Sequence, residues 1–417
     1  MRLYPLPSLL LCTLLGLLPA LAPAAEDDSS YEMTWIIALE AGNDWAEVTL
    51  EVEDGRPVRD VRFKYDPERL RDFEAEGKLR VDEEDHSVHW EPARENASLS
   101  WRARITRPRA NQNQAESYDA LMTQDWALFR GDRVIPRMSV TTRKGLTAET
   151  MLRFELPDGW GATTGWLRDR SYRERPRYFV DDPERRFDRP TGWMLAGRFG
   201  SRRDLMGSTE FFIAAPRDSA ADRGSWLTLV GLVWDEIEQA FGKVPPKILM
   251  VSGDDPLWRG GLSGPNSFYF HSSRRAVSEN GSSPLVHELV HVVTRISGGD
   301  RDDWIAEGLA EYYGIELVYR AGGMSGRRRA EIMERLHDWA GRADRLREDR
   351  SSGPVTARAV LLFDALDQEI RQRTNDKDSI DAVTRLLMVE RRVTLDDLRR
   401  AVEQVTGRAS PLLEELQ

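Results

Sequence analysis

Two periodicities divide the chain. From Tyr31 to about Pro216, polar and apolar residues alternate with a period of two. The run Ala46-Glu47-Val48-Thr49-Leu50-Glu51-Val52 is the clearest, and similar alternation recurs at 58–63, 88–90, 99–105 and 151–156. That period sends successive side chains to opposite faces of a strand, and turn signals such as Asp54-Gly55 and Pro157-Asp158-Gly159 separate the runs. This half predicts an antiparallel β domain, with the arginine- and acid-rich stretch 168–189 as a long surface loop.

After Pro216 the spacing becomes helical. Residues 226–241 carry apolar positions at helical intervals and stop before Gly242. Residues 247–251 read as a buried strand. Residues 267–271 read as an edge strand, preceded by the glycine-rich Gly260-Gly261-Leu262-Ser263-Gly264. A helix is expected over 283–296, with Ser283-Pro284 as N-cap and first-turn proline and Gly298-Gly299 as its stop. Further helices are expected at 304–320, 327–348, 356–373, 379–390 and 394–406. The pattern therefore predicts an α+β protein: a β-rich domain over 26–216, then a mainly helical domain with a small edge sheet over 217–417.

Composition narrows the class. With 417 residues there is room for two or three domains with real cores. A balance of 40% hydrophobic to 31% charged residues is that of a soluble globular protein. The net charge of −11 argues against a nucleic-acid partner. Arg2, the apolar run 9–18 and Ala22-Pro23-Ala24-Ala25 form the pattern of a secretory signal over 1–25, cleaved after Ala24 or Ala25. The mature protein is then expected to be secreted or periplasmic. The run is short for a bilayer span, so no stable membrane span is expected after cleavage. Cys12, the only cysteine, lies in this leader. Any metal in the mature chain must then be held by His, Asp and Glu.

One segment supplies such a set. His287-Glu288-Leu289-Val290-His291 places two imidazoles four residues apart, on one face of a helix. That geometry can grip one Zn²⁺, with Glu288 placed to act as general base toward an activated water. Downstream, Trp304-Ile305-Ala306-Glu307-Gly308-Leu309-Ala310-Glu311-Tyr312-Tyr313 offers Glu307 as a third ligand, leaving a fourth position for water. Glu311, one turn on, can orient a ligating imidazole through its other nitrogen. The exchanged assignment, with Glu311 as ligand and Glu307 as a capping residue, stays open; a close backbone approach at Gly308 favours Glu307. Ligating histidines on a helix that is apolar nearly all round need a partner, and a metal is an economical one. The set points to a zinc hydrolase acting on a peptide or protein substrate. His86 and His89, in an acidic strand-like stretch, read as surface histidines. His271, and less so Tyr269, are candidate transition-state donors.

The two segments together resemble the gluzincin metallopeptidases, the thermolysin-like clan, and within it the glycyl aminopeptidase family and its peptidase-like relatives. Residues 287–291 match the zinc helix, and 304–313 match that family's Trp-x-x-Glu-Gly-x-x-x-Tyr-Tyr segment. Residues 365–371 and 379–381 resemble the helical region that follows, and the β-rich half resembles the N-terminal domain more loosely. The resemblance implies a thermolysin-like catalytic domain with His287, His291 and Glu307 on the ligand positions, Glu288 as base and Glu311 in support of the ligands. The chain also departs from the family. Gly260-Gly261-Leu262 is followed by Ser263, where the aminopeptidases carry a glutamate that anchors the substrate amine. Thr356-Ala357-Arg358-Ala359 stands where they carry an oxyanion tyrosine, and no tyrosine follows Tyr319. The expectation is a zinc peptidase; the missing tyrosine motivates the alternative, a zinc-binding, catalytically weak scaffold that binds peptides or envelope proteins.

Overall fold

The structure is a computed structural model that describes residues 30–109, 116–172, 176–181, 187–279, 281–348 and 350–416. The leader read at 1–25, with Cys12, lies outside the described residues.

The period-two alternation of the first half becomes half-buried strands. Along Trp45–Asp54, Ala46, Val48, Leu50 and Val52 are buried while Glu47 and Glu51 face outward. That strand lies in a seven-stranded sheet ordered Leu167–Arg168, Arg177–Val180, Thr147–Glu155, Ser30–Ala38, Trp45–Asp54, Glu95–Arg104, Leu70–Ala75. All neighbours in it are antiparallel except Ser30–Ala38 against Thr147–Glu155, which run parallel. A four-stranded sheet, Ser139–Thr142, Val58–Lys64, Ser87–Pro92 and Gly77–Asp82, shares its core. Trp35 and Trp101 meet there edge to face, ring centroids 6.1 Å apart. The expected surface loop over 168–189 is partly sheet instead. Arg177–Val180 pairs with Thr147–Glu155 and buries Tyr178, because the apolar positions Tyr178 and Val180 alternate within the charged run.

A mixed five-stranded sheet joins the halves. Its order is Phe199–Met206, Thr209–Pro216, Lys247–Val251, Ser267–Phe270, Gly261–Gly264. The three central strands run parallel. Alternation splits its residues between two cores. Phe211, Ile213, Ile248, Met250, Phe268 and Phe270 pack under the helices. Ala214, Leu249, Val251 and Tyr269 pack against Leu128, Trp193 and Leu195 of the first half. The hairpin Phe199–Pro216, grouped with the first half in the sequence, contributes Met206, Phe211, Ile213 and Ala215 to the helical core. The strand expected at the edge, Ser267–Phe270, is interior, with all four residues buried; the glycine-rich Gly261–Gly264 is the edge.

The helices follow at Arg223–Phe241, Pro284–Thr294, Asp303–Arg320, Gly326–Ala340, Pro354–Thr374, Ile380–Glu390 and Leu395–Thr406. The helix expected to run to 348 stops at Ala340, where Gly341 follows. An N-terminal antiparallel sheet domain is thus followed by a helical domain. No helix among the described residues is long and apolar enough to cross a membrane.

Candidate metal centre

The motif helix, Pro284–Thr294, begins where the local chemistry asks it to. The Ser283 hydroxyl accepts the Val286 N–H at 3.1 Å, and Pro284 occupies the first turn, where a missing N–H costs nothing. It ends at Arg295 in the left-handed region (φ 55°), ahead of the glycines expected to stop it at Gly298-Gly299. Leu285, Val286, Leu289, Val290, Val292 and Val293 are all buried, which leaves the two histidines on the one polar stripe.

The second helix, Asp303–Arg320, crosses beside it. Glu307, Glu311 and Gly314 fall at i, i+4 and i+7, a single stripe toward the motif helix. Gly314 makes the close approach possible. A methyl there would stand 3.3 Å from the Ser283 carbonyl and 3.7 Å from His287 Cβ, and the Gly314 carbonyl accepts the Ser283 N–H at 3.2 Å. Gly308, expected to serve that purpose, faces elsewhere. A methyl on it would meet Ala359 Cβ at 2.5 Å, so its role is to seat helix Pro354–Thr374. The aromatic residues of this segment are anchors. Trp304 stacks on Phe363 at 5.9 Å, and the buried Tyr313 hydroxyl donates to Asp381 at 2.9 Å.

Two imidazoles and a carboxylate converge between these helices. His287 Nε2 and His291 Nε2 lie 3.2 Å apart. Glu307 reaches both, Oε2 at 3.5 Å from His287 Nε2 and Oε1 at 3.4 Å from His291 Nε2. Glu311 Oε2 instead stands 3.0 Å from His287 Nδ1, on the far side of the ring. His287, His291 and Glu307 form the single metal-competent group of three among the described residues. Their spacing fits an ion. A tetrahedral zinc with bonds of about 2.0–2.1 Å separates its ligand atoms by about 3.3–3.4 Å. With Nδ1 directed at Glu311, His287 Nε2 faces His291 Nε2 and Glu307, and such a group of acceptors holds a cation, either a proton or a metal ion.

The electrostatics carry the same demand. Burial works against a charge on His287, yet Glu307 and Glu311 outweigh it and raise the imidazole to about 10 in the metal-free protein. Burial pushes Glu307 up, but the two histidines more than reverse that and hold it well below the usual carboxylate range; Glu311 is lowered in the same way, by His287.

Glu288 lies within electrostatic reach of His287, His291 and Glu307. It is 9% exposed, and burial raises its carboxyl above the ordinary glutamate value. Its side chain lies against the edge strand: a methyl on Gly261 would meet Glu288 Oε1 at 2.5 Å and Cδ at 2.9 Å. Sequence reasoning placed Gly261 in the strand expected near the zinc helices but missed the room it leaves for Glu288, and it missed Gly314. The only available signal was a glycine where a strand or helix interior disfavours one.

Tyr269 and His271 do not join the site. Gly261 faces the motif helix, whereas Tyr269, like Leu262, lies on the opposite face of the sheet. Its ring packs on Trp193 at 5.2 Å and its hydroxyl donates to the Trp258 carbonyl at 3.0 Å. His271 follows on Tyr269's side and turns into the next loop, with Nδ1 2.8 Å from the Ser273 hydroxyl and Nε2 3.5 Å from Asp255. His86 meets Tyr65 edge to face and His89 lies 3.8 Å from Asp60, both in the β domain.

The fold has the two-domain architecture of solved M1 zinc metallopeptidases. Among solved structures the chain is similar to an aminopeptidase N family protein from Idiomarina loihiensis, at 13% identity and a TM-score of 0.62, covering 86% of this chain and 70% of that one. It is similar also to an M1 zinc metallopeptidase from Deinococcus radiodurans, at 14% identity and a TM-score of 0.55, over 93% of this chain and 91% of that one. A mutant of the Deinococcus radiodurans metallopeptidase bound to a Tyr-Ser-Ala substrate matches with a TM-score of 0.58 at 14% identity, over 93% of this chain and 92% of that one. At this identity the likeness establishes the fold. The narrower resemblance to glycyl aminopeptidases rests on the residues alone. No protein-family model and no curated protein matches the chain.

Proposed function

We propose that the protein is a zinc-dependent peptidase. His287, His291 and Glu307 hold one Zn²⁺, Glu311 orients His287, and Glu288 is the general base. The observation that carries this reading is the convergence of two Nε2 atoms 3.2 Å apart with one Glu307 oxygen 3.5 Å from His287 and the other 3.4 Å from His291, a set whose ligand atoms all lie within 4.8 Å of one another. Zinc held there supplies Lewis-acid activation of water near neutral pH.

The protein's own groups do the rest. Glu311 accepts the Nδ1 hydrogen of His287, which fixes the tautomer and aims Nε2. Glu288, next in sequence to a ligand and shielded beneath Gly261, takes the proton of the attacking water on its carboxylate and passes it to the leaving nitrogen. Its raised proton affinity suits that task. Gly261–Gly264 is the sheet edge, so its outward backbone groups are available to an extended peptide. Ser263 supplies no carboxylate to anchor a free amino terminus.

The test is Glu288→Gln. Metal content should stay at the parent level while peptide hydrolysis falls by about 10²–10⁴-fold. Parent-level hydrolysis in that variant would remove Glu288 as the base. One observation favours a second reading, a zinc-binding scaffold of weak activity: Tyr269 and His271, the candidate donors to a developing oxyanion, are turned away from the motif helix. Loss of one such donor costs about 10²–10³-fold. Zinc-loaded parent protein that binds peptides without cleaving them would favour the scaffold.

A further inference from the structure

The segment 271–283 joins the strand Ser267–Phe270 to the motif helix, and Arg274 stands near its start. The backbone around it is pinned. The Ser272 N–H donates to the Gly253 carbonyl at 3.0 Å, and the Arg274 N–H closes a turn onto the His271 carbonyl at 3.0 Å. Further on, the Ser283 hydroxyl donates to the Ala276 carbonyl at 2.6 Å. The Arg274 guanidinium lies over the Phe270 ring, 5.4 Å from its centroid. Phe270 pairs with Gly261 across the sheet, and directly opposed residues share one face. That is the face on which Gly261 makes room for Glu288.

We infer that Arg274 is a substrate-binding residue that pairs with a carboxylate of the bound peptide, supplied by an acidic side chain or by a free carboxyl terminus. The inference rests on the peptidase reading, and it adds the class of substrate, peptides with a negative charge near the scissile bond. Three observations carry it. The first is an unused charge. Arg274 is half-buried, and its guanidinium makes no hydrogen bond and no ion pair among the described residues. Arg275, next in the chain, pairs with Glu279 at 2.8 Å. The protein carries 70 acidic residues against 59 lysines and arginines, so this guanidinium is left free by its placement and not by a shortage of carboxylates. Its planar fork of donors matches the two oxygens of a carboxylate.

The second is position. The Gly261 end of the edge strand lies against Phe270, the last residue before the turn that holds Arg274. An extended peptide laid along Gly261–Gly264 therefore has one of its ends at this guanidinium. The edge strand itself, Gly261-Leu262-Ser263-Gly264, carries no charged side chain to compete for it. Glu288 lies within reach of the guanidinium's charge, yet no ion pair joins the two, so the cation stands near the reacting centre without being consumed there. The third is preorganisation. The Phe270 ring under the guanidinium is fully buried and is held edge to face by Trp226 at 5.5 Å, and the turn fixes the backbone. Little freedom is left for a ligand to remove.

The test is calorimetric binding of alanine tetrapeptides to the full-length, zinc-loaded Glu288→Gln protein. One arm compares the free acid with its amide; the other compares amides carrying Glu or Gln at each position in turn. In one arm or the other the carboxylate form should bind about tenfold tighter than its neutral counterpart, and the arm that shows it identifies the source of the charge. Adding Arg274→Gln should reduce that preference to about twofold or less while neutral peptides keep their affinity. Arg274→Lys, which keeps the charge and loses the fork, should retain part of it. No preference for a carboxylate, no binding at all, an undiminished preference in Arg274→Gln, or equal weakening of charged and neutral peptides would overturn the inference. Failure of the peptidase reading alone would look different: intact preference in binding, with no hydrolysis by the zinc-loaded parent protein.

Discussion

The two walls of the site work by opposite means. The helical wall acts through side chains: His287, His291, Glu307 and Glu311 project from two helices and meet within 3.5 Å of one another in successive pairs. The strand wall, Gly261–Gly264, acts through the absence of one. At Gly261 it leaves the volume that the Glu288 carboxyl fills. The proposed base on one wall is thus positioned by empty space on the other. Charge must be supplied by particular residue types, whereas space can be removed by any residue with a Cβ.

That contrast can be broken most sharply at Gly261. In Gly261→Ala the new methyl falls within 2.5–2.9 Å of Glu288 Oε1, Cδ and Cγ, so the carboxyl has to move. A displacement of about 1 Å at a reacting group costs on the order of a hundredfold. We expect kcat to fall by about that factor, with zinc content and melting temperature near the parent values. Gly264→Ala, whose methyl finds its nearest neighbour at 3.5 Å, should stay within about threefold of parent. Equal losses in the two variants would show that the strand wall matters for some reason other than room for Glu288.

Within the helical wall the comparison sharpens to Glu307 against Glu311. Both lie on one stripe, but one faces two Nε2 atoms and the other a single Nδ1. Glu311→Gln keeps an acceptor for His287 and loses the charge. We expect zinc affinity, measured by chelator competition, to fall by about 10–100-fold, the usual cost of a lost partner behind a ligand. Complete loss of metal in that variant would make Glu311 a ligand.

Much of the helical wall was legible in the amino-acid sequence, and most of the strand wall was not. A metal set demands named residue types at fixed helical spacing, so His287, Glu288, His291 and Glu307 could be singled out without coordinates. The N-cap at Ser283 was equally local. The face of a strand is a matter of register and pairing. Ser267–Phe270 reads as a strand because it is apolar, but whether it is edge or interior depends on Gly261–Gly264 pairing outside it. That same register turns Tyr269 and His271 away from the motif helix. The purpose of Gly308 was misread for a similar reason. Its close neighbour, Ala359, belongs to a helix far along the chain, and no local pattern announces it.

The smallest expected effect separates the walls by pH. In the metal-free protein the helical wall titrates, because a proton stands in for the cation. His287, ordinarily near 6.5, is raised to about 10: burial opposes the charge, but Glu307 and Glu311 prevail. A group raised on folding stabilises the native state fully below its unfolded value and loses that contribution as pH climbs through the folded value. Glu307 behaves in the converse sense. Its folded value is depressed from an ordinary 4.5, so its contribution is present above that and lost as pH falls. The cluster should therefore stabilise the metal-free protein most between 4.5 and 6.5, and progressively less toward 10. Zinc in place of the proton removes the alkaline slope. Calorimetry at pH 6 and pH 9 should show a larger drop in melting temperature for metal-free than for zinc-loaded protein, about 2–4 °C for each kcal/mol lost. The difference should vanish in His287→Asn. Glu288 and Gly261 make no such pair of charges, so Gly261→Ala should leave the difference intact. Parallel pH curves for the metal-free and zinc-loaded parent would mean that the two carboxylates do not hold a cation between them, and the distinction between a wall of charge and a wall of space would lose its basis.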